Sequence, residues 1–373
     1  MAERFRGRYK ALVLAPSLEG VGGIQNYIHT LADALQDILG ENHVRIIAVP
    51  GEPQPRRSGR AALRRSTKFR FLASAIAAVF SWRPDLIICA HIGVAPVARL
   101  IQRFTGIPYW LVIYGIEVWG NLSSLKREAL RAANLYVTIT HFTLNATAAR
   151  HGLNSPSALI LPPALPKRLL RSTSDCTSEE GRRPMVLTVG RIAATEQYKG
   201  HDVMLEAWPI VLHRVPDAVY WIVGDGDDRQ RLERRAHELG IADSVHFAGS
   251  LSAEDLDVCY DRCSVLAMPA RTELDTQTPR GEGFGIVFLE AMAHSRPVVG
   301  PEVGAPAEFI RSGEHGLLVD PQDPREVAQA LIELLEDPAR ASRMGRAARE
   351  WVAREFSFDR FRERLRVALL DRR

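Results

Sequence analysis

Short, strongly apolar runs alternate with segments of helical periodicity along most of this chain, and that alternation restricts the fold more than any other feature. Ala11–Ala15 is a five-residue apolar run of the kind a buried parallel strand shows. After a glycine-rich turn, Ile24, Tyr27, Ile28, Leu31, Leu35 and Ile38 recur at helical spacing, and Gly40 ends the pattern. Further buried-strand candidates are Val44–Val49, Asp85–Ala90, Tyr109–Tyr114, Leu135–Thr140 and Ala158–Leu161, then Met185–Val189, Val219–Val223, Ser244–Phe247, Val265–Met268 and Pro297–Val299. Helices are expected near His201–His213, Asp228–Leu239, Ile286–His294, Arg325–Leu335 and Pro338–Ala353. Such a rhythm predicts α/β structure with mostly parallel sheets covered on both faces.

The rhythm breaks once. Pro162-Pro163-Ala164-Leu165-Pro166 stops it, and 171–183 offers almost nothing to a core. With 373 residues, more than one core usually supports, the expected division is an N-terminal doubly wound domain over 1–165, a linker over 166–182 and a second doubly wound domain over 183–355. Sheets of this kind bind ligands at the carboxyl ends of their strands, so two domains facing across a cleft would place a ligand between them.

Composition narrows the class. No run of eighteen apolar residues predicts a membrane span, and the N-terminus lacks the apolar stretch of a secretory signal. Four scattered cysteines, Cys89, Cys176, Cys259 and Cys263, make no disulfide framework; with the rest they fit a reducing cytoplasm. The +4 net charge is local in origin: Arg56, Arg57, Arg60, Arg64, Arg65, Lys68, Arg70 and Arg83 fall in a stretch without an acidic residue. With Phe69, Leu72, Ile76, Val79 and Phe80 at helical spacing, Arg56–Phe80 reads either as a surface for an anionic membrane, with the protein peripheral on its inner face, or as an ordinary helix burying those apolar residues behind a solvated basic loop. No nucleic-acid partner is expected.

Three places carry chemistry. Gly20-Val21-Gly22-Gly23 lies between the first strand and first helix, where backbone approaches a ligand closely and a helix N-terminus favours anions. Glu282-Gly283-Phe284-Gly285-Ile286-Val287-Phe288-Leu289-Glu290 sets two carboxylates around a helix start; were the whole stretch helical they would stand ~12 Å apart, suited to opposite ends of an elongated polar ligand. Arg191 and Lys199 follow a strand ending at Gly190, where two cations would neutralise a diphosphate. Asp225-Gly226-Asp227, in a strand-to-helix turn, has the look of a metal-binding DxD.

Together these residues resemble the retaining GT-B glycosyltransferases of family four. The marks are the EX7E pair Glu282 and Glu290, the Arg191/Lys199 pair, Gly22-Gly23, Val223-Gly224-Asp225-Gly226, Pro269 and Gly313–Val319. The resemblance implies two Rossmann-like domains, the N-terminal one on the acceptor side and completed by a C-terminal helix over 356–373. It implies a hexose moved from a nucleotide diphosphate sugar, with a lean to GDP-mannose, onto a glycan or lipid-linked acceptor. It further implies that Arg191 and Lys199 hold the diphosphate, Glu282 and the backbone of Phe284 and Gly285 hold sugar hydroxyls, and Glu290 holds the ribose, without metal or cofactor. The donor-binding set is then Gly22, Gly23, Gly224, Phe284, Gly285, Ile286, Val287 and Glu290. Tyr114-Gly115-Ile116-Glu117 stands where the family often has His-Gly-x-Glu, so His91, Tyr114 and Glu117 are candidates for sugar or acceptor contacts. A GT-B sugar-nucleotide epimerase and a non-catalytic sugar-nucleotide-binding subunit are the competing readings.

Overall fold

The computed structural model describes residues 9–19, 22–50, 60–171 and 183–371, without the side chains of 60–66 and 171. It divides into two compact units, Met1–Ala164 with Phe358–Arg373, and Leu165–Ser357.

The first unit runs β1 (Ala11–Ala15), α1 (Gly23–Leu39), β2 (Val44–Ala48), α2 (Arg60–Trp82), β3 (Leu86–Cys89), α3 (Ala95–Thr105), β4 (Tyr109–Ile113), α4 (Ile116–Trp119), α5 (Ser124–Arg131), β5 (Leu135–Thr138), α6 (His141–His151) and β6 (Ala158–Ile160). All strands are parallel, in the order β2-β1-β3-β4-β5-β6. Every side chain of β1 is fully buried because the strand lies inside the sheet, covered on both faces. β2 departs from the expected buried strand: it is an edge strand, and Arg45 and Ile46 are exposed.

The second unit runs α7 (Lys167–Arg171), β7 (Met185–Val189), α8 (His201–Arg214), β8 (Val219–Val223), α9 (Arg229–Glu238), β9 (Val245–Gly249), α10 (Ala253–Arg262), β10 (Val265–Ala267), α11 (Ile286–Ala293), β11 (Val298–Pro301), β12 (Gly316–Val319), α12 (Pro324–Glu336) and α13 (Pro338–Glu355). Its sheet is also parallel, ordered β12-β11-β10-β7-β8-β9. The chain ends with α14 (Phe358–Leu370), which lies against α1 in the first unit and buries Phe361, Leu365 and Leu369 but leaves Val367 41% exposed.

Part of the segment read as linker is helical. α7 packs against α11 with Leu169 buried, while 172–182 lies outside the described residues. Two further elements of the second unit went unread: β12, four residues at the sheet edge, and α10, whose mixed face buries only Cys259 and Tyr260.

The basic stretch is partly described. Arg56 and Arg57 lie outside the described residues, as do the side chains of Arg60, Arg64 and Arg65. The apolar positions of α2 do not form one buried face. Phe71, Ala75, Ala78, Val79 and Trp82 enter the core, whereas Phe69 and Phe80 are each 71% exposed and Ile76 is 36% exposed. Lys68 and Arg70 are exposed on either side of Phe69. Among the described residues, no helix is long and apolar enough to cross a membrane.

Candidate active site

In each sheet the strand order reverses once, between β1 and β3 in the first unit and between β7 and β10 in the second. Crevices outside the carboxyl ends of strands at such reversals are where open α/β sheets bind ligands. The sequence candidates fall at both.

In the second unit β7 ends at Val189, and Gly190 and Arg191 follow directly. Gly224, after β8, holds φ 138°, and a Cβ there would come within 1.9 Å of the Gly190 carbonyl oxygen, so only glycine lets the two loops meet. The chain from Ala194 to Lys199 then forms a tight helical turn. The backbone N–H of Arg271, beyond β10, donates to the Tyr198 carbonyl at 2.6 Å, tying this turn to the loop across the reversal.

That turn sets the charges. Lys199, its side chain 14% exposed, places Nζ 3.4 Å from Glu196 Oε2 and 3.9 Å from Glu282 Oε2. Arg191, 77% exposed, reaches back to pair with Glu196. Glu282 comes from the loop before α11, and its Oε1 accepts the N–H of Gly285 at 3.1 Å and lies 3.5 Å from that of Phe284. Gly285 is the N-cap of α11 at φ 83°, in left-handed backbone that favours glycine. Phe284 is buried and stacks on Phe309 at 4.7 Å. Ile286 and Val287, half-buried, form the first turn of α11. Two cations, two carboxylates and a helix N-terminus thus converge on one site.

The helix begins at Ile286, so the single helical axis imagined between Glu282 and Glu290 does not exist. Glu290 is in the second turn of α11, and the Tyr260 hydroxyl donates to its Oε2 at 2.8 Å. Burial pushes the Glu290 carboxyl above the usual carboxylate range, and the Tyr260 bond opposes the shift. Tyr260 stacks on His294, whose Nδ1 lies 2.7 Å from Asp261 Oδ1. Asp225 and Asp227 make loop contacts: Asp225 accepts from Gly226 N–H within its own loop, and Asp227 accepts from Ala194 N–H in the turn after β7. Among the described residues, no group of three or more His, Cys, Asp or Glu is placed to hold a metal ion.

In the first unit, Gly22 precedes α1 as its N-cap in extended backbone and Gly23 opens the helix; Gly20 and Val21 lie outside the described residues. His91 follows β3 and Tyr114 follows β4, their rings stacked with centroids 6.4 Å apart. His91 Nδ1 accepts the Gly93 N–H, and burial lowers the imidazole's affinity for a proton. The Tyr114 hydroxyl donates to the Ala90 carbonyl at 3.1 Å. Glu117 accepts the Tyr114 N–H at 2.6 Å, and burial raises its carboxyl.

Glu196 and Tyr260 escaped the sequence reading. Glu196 carries a faint signal, a carboxylate three residues before Lys199; Tyr260 lies thirty residues before Glu290 and carries none.

Comparison with known proteins places this geometry. Residues 175–351 match the family described as glycosyl transferases group 1, and residues 21–164 match glycosyltransferase family 4. A GDP-mannose-dependent α-(1-6)-phosphatidylinositol monomannoside mannosyltransferase of Mycolicibacterium smegmatis is 34% identical over 254 residues, 64% of this chain and 64% of the relative. A GDP-mannose-dependent monoacylated α-(1-6)-phosphatidylinositol monomannoside mannosyltransferase of Corynebacterium glutamicum is 32% identical over 267 residues, 68% of this chain and 67% of the relative. The chain therefore matches just under two thirds of the first relative's length and two thirds of the second's. The crystal structure of Anabaena HepE in complex with UDP superposes with a TM-score of 0.75 at 18% identity, over 97% of this chain and all of that one. Two six-stranded parallel sheets, each flanked by helices, are the two α/β domains of the GT-B fold, and the chain belongs to the group 1 glycosyl transferases.

Proposed function

We propose that the protein is a retaining glycosyltransferase that moves a hexose from a nucleotide diphosphate sugar to a glycan or lipid-linked acceptor. The observation that carries this reading is Lys199, half-enclosed beside Glu282, with Glu282 in turn on the amides that open α11. Lys199 and Arg191 take the diphosphate, Glu282 and the Phe284 and Gly285 amides take sugar hydroxyls, and Glu290 takes the ribose. GDP-mannose is the favoured donor because the relatives named above use it.

In the reaction the bond from the anomeric carbon to the diphosphate oxygen breaks. Negative charge grows on the leaving group as an oxocarbenium-like centre forms. Fixed cations and helix-start amides stabilise that charge, an effect of several kcal/mol in enzymes of comparable design. The acceptor oxygen bonds to the same face of the sugar, and its proton passes to the departing diphosphate. Because two side-chain cations perform the neutralisation, turnover is expected to be unchanged in excess EDTA. Loss of turnover in EDTA with rescue by magnesium or manganese would give Asp225 and Asp227 a metal to hold.

The donor is tested by thermal shift against a panel of nucleotide sugars. A rise in Tm with GDP-mannose above that with GDP-glucose and the UDP-sugars is expected. A rise with none of them would sink the donor site; conversion of donor with no acceptor present would favour an epimerase.

Docking on the cytoplasmic membrane surface belongs to the same reading. Exposed Phe69, Ile76 and Phe80 lie along α2 beside Lys68 and Arg70, a pattern suited to the boundary of an anionic bilayer. The protein is expected to sediment with phosphatidylglycerol vesicles at low salt and to be released at high salt. Equal partitioning onto phosphatidylcholine, or none onto either, would remove the membrane from the proposal.

A further inference from the structure

The first unit carries three guanidiniums that the reaction above does not use. Arg127 and Arg131 lie one turn apart on α5, and Arg150 lies at the end of α6. All three line one depression of about 440 Å³ with Asn121, His151 and Gly152, and no lining residue is acidic. Arginines elsewhere on the surface are matched with carboxylates: Arg99 with Glu128, Arg214 with Glu336, Arg235 with Glu206. Among the described residues, no carboxylate forms an ion pair with Arg127, Arg131 or Arg150.

Their hydrogen bonds go to neutral oxygens instead. Arg127 Nη2 donates to the Leu122 carbonyl, Arg131 Nη2 to the His151 carbonyl and Arg150 Nη2 to Asn121 Oδ1, each at 3.1 Å. A guanidinium has five N–H donors, so these bonds fix the three groups while leaving most donors open. The remaining titratable wall, His151, adds no negative charge. Its Nε2 lies 2.6 Å from the Val118 carbonyl; burial, opposed by that bond and reinforced by the three arginines, lowers the imidazole's affinity for a proton. The cluster is therefore an anchored, uncompensated block of positive charge around a concavity.

We infer that this depression binds a phosphate group, either from a free phosphate ester or from the headgroup of a phospholipid. A phosphate carries about −1.5 to −2 charge and three acceptor oxygens, enough to engage several arginine forks at once. Planar guanidiniums match such an anion bidentately, which a scatter of lysines does not. The site is separate from the donor residues and stands or falls without them.

The test is calorimetric titration of inorganic pyrophosphate into full-length K199A, in which the enclosed cation of the proposed donor site is removed, and into K199A carrying R127Q and R150Q. Arg131 is left in place because it caps the end of α6, and Tm is compared to confirm that both proteins fold. Binding to K199A, weakened about tenfold or more by the two added substitutions, is the expected result. No binding to K199A, or equal affinity in the two proteins, overturns the proposal. Sedimentation of wild type and R127Q/R150Q with phosphatidylglycerol and phosphatidylcholine vesicles then separates the sources. Loss of phosphatidylglycerol binding alongside the weakened titration assigns the site to a lipid headgroup; unchanged vesicle binding assigns it to a free phosphate ester.

Discussion

Lys199→Ala is expected to lower kcat by about a hundredfold or more, because the proposed mechanism leaves the departing diphosphate with no other enclosed cation. Lys199 is 14% exposed and Arg191 is 77% exposed. Water screens Arg191 more, so Arg191→Ala is expected to cost less than Lys199→Ala while still reducing turnover by roughly tenfold to a hundredfold. The larger loss belongs in kcat, since part of the charge these groups stabilise develops only as the bond breaks. Steady-state kinetics on the purified variants measures this directly. Near-normal kcat in both would remove the diphosphate from this site.

Glu282 and Glu290 are expected to separate cleanly in the same assays. Glu282→Ala removes the carboxylate beside Lys199 and the α11 amides, and turnover should fall by about a hundredfold with weakened discrimination among donor sugars. Glu290→Ala should mainly weaken nucleoside diphosphate affinity, by roughly tenfold to a hundredfold for loss of charged hydrogen bonds to a ribose. It also strips the buried Tyr260 hydroxyl of its acceptor, so some loss of Tm accompanies it. Glu290→Gln restores an acceptor for Tyr260 without the charge and distinguishes the two effects. Unchanged nucleoside diphosphate affinity in Glu290→Ala, measured by calorimetry, would refute the ribose role.

Interior strands were legible in the sequence because burial on both faces leaves an unbroken apolar run, as in β1 and β7. The edge strands β2, β6 and β9 were read as strands too, but the exposure of β2, which mixes Arg45 with aliphatics, was not, and β12, four residues with no flanking period of its own, went unread. In α2 helical spacing does not separate buried from exposed phenylalanines: Phe69 and Phe71 lie two residues apart, yet one is 71% exposed and the other 4%. Nothing in composition separates them; only the direction in which the helix meets β2 and α3 does. In the candidate site, spacing singled out Arg191, Lys199, Glu282 and Glu290, and the structure brings the first three together. Glu196 joins them only because a tight turn folds its carboxylate back between the two cations, and Tyr260 reaches Glu290 through tertiary packing alone.

Glu196 has a consequence for how the site meets the solution around it. Arg191, Lys199, Glu196 and Glu282 balance in formal charge, so the ligand-free pocket is no general trap for anions. An arriving anion must displace a carboxylate that never diffuses away, one whose local concentration is on the order of millimolar or higher. A free phosphate, with one charged group and nothing else to hold, meets that tethered competitor at a disadvantage. A nucleoside diphosphate arrives with two phosphates and a ribose that the proposed Glu290 contact would anchor, and it outcompetes the carboxylate by multivalency. On the proposed mechanism, departure of the product would let the same carboxylate return, leaving the site neutral without drawing an ion from the bulk.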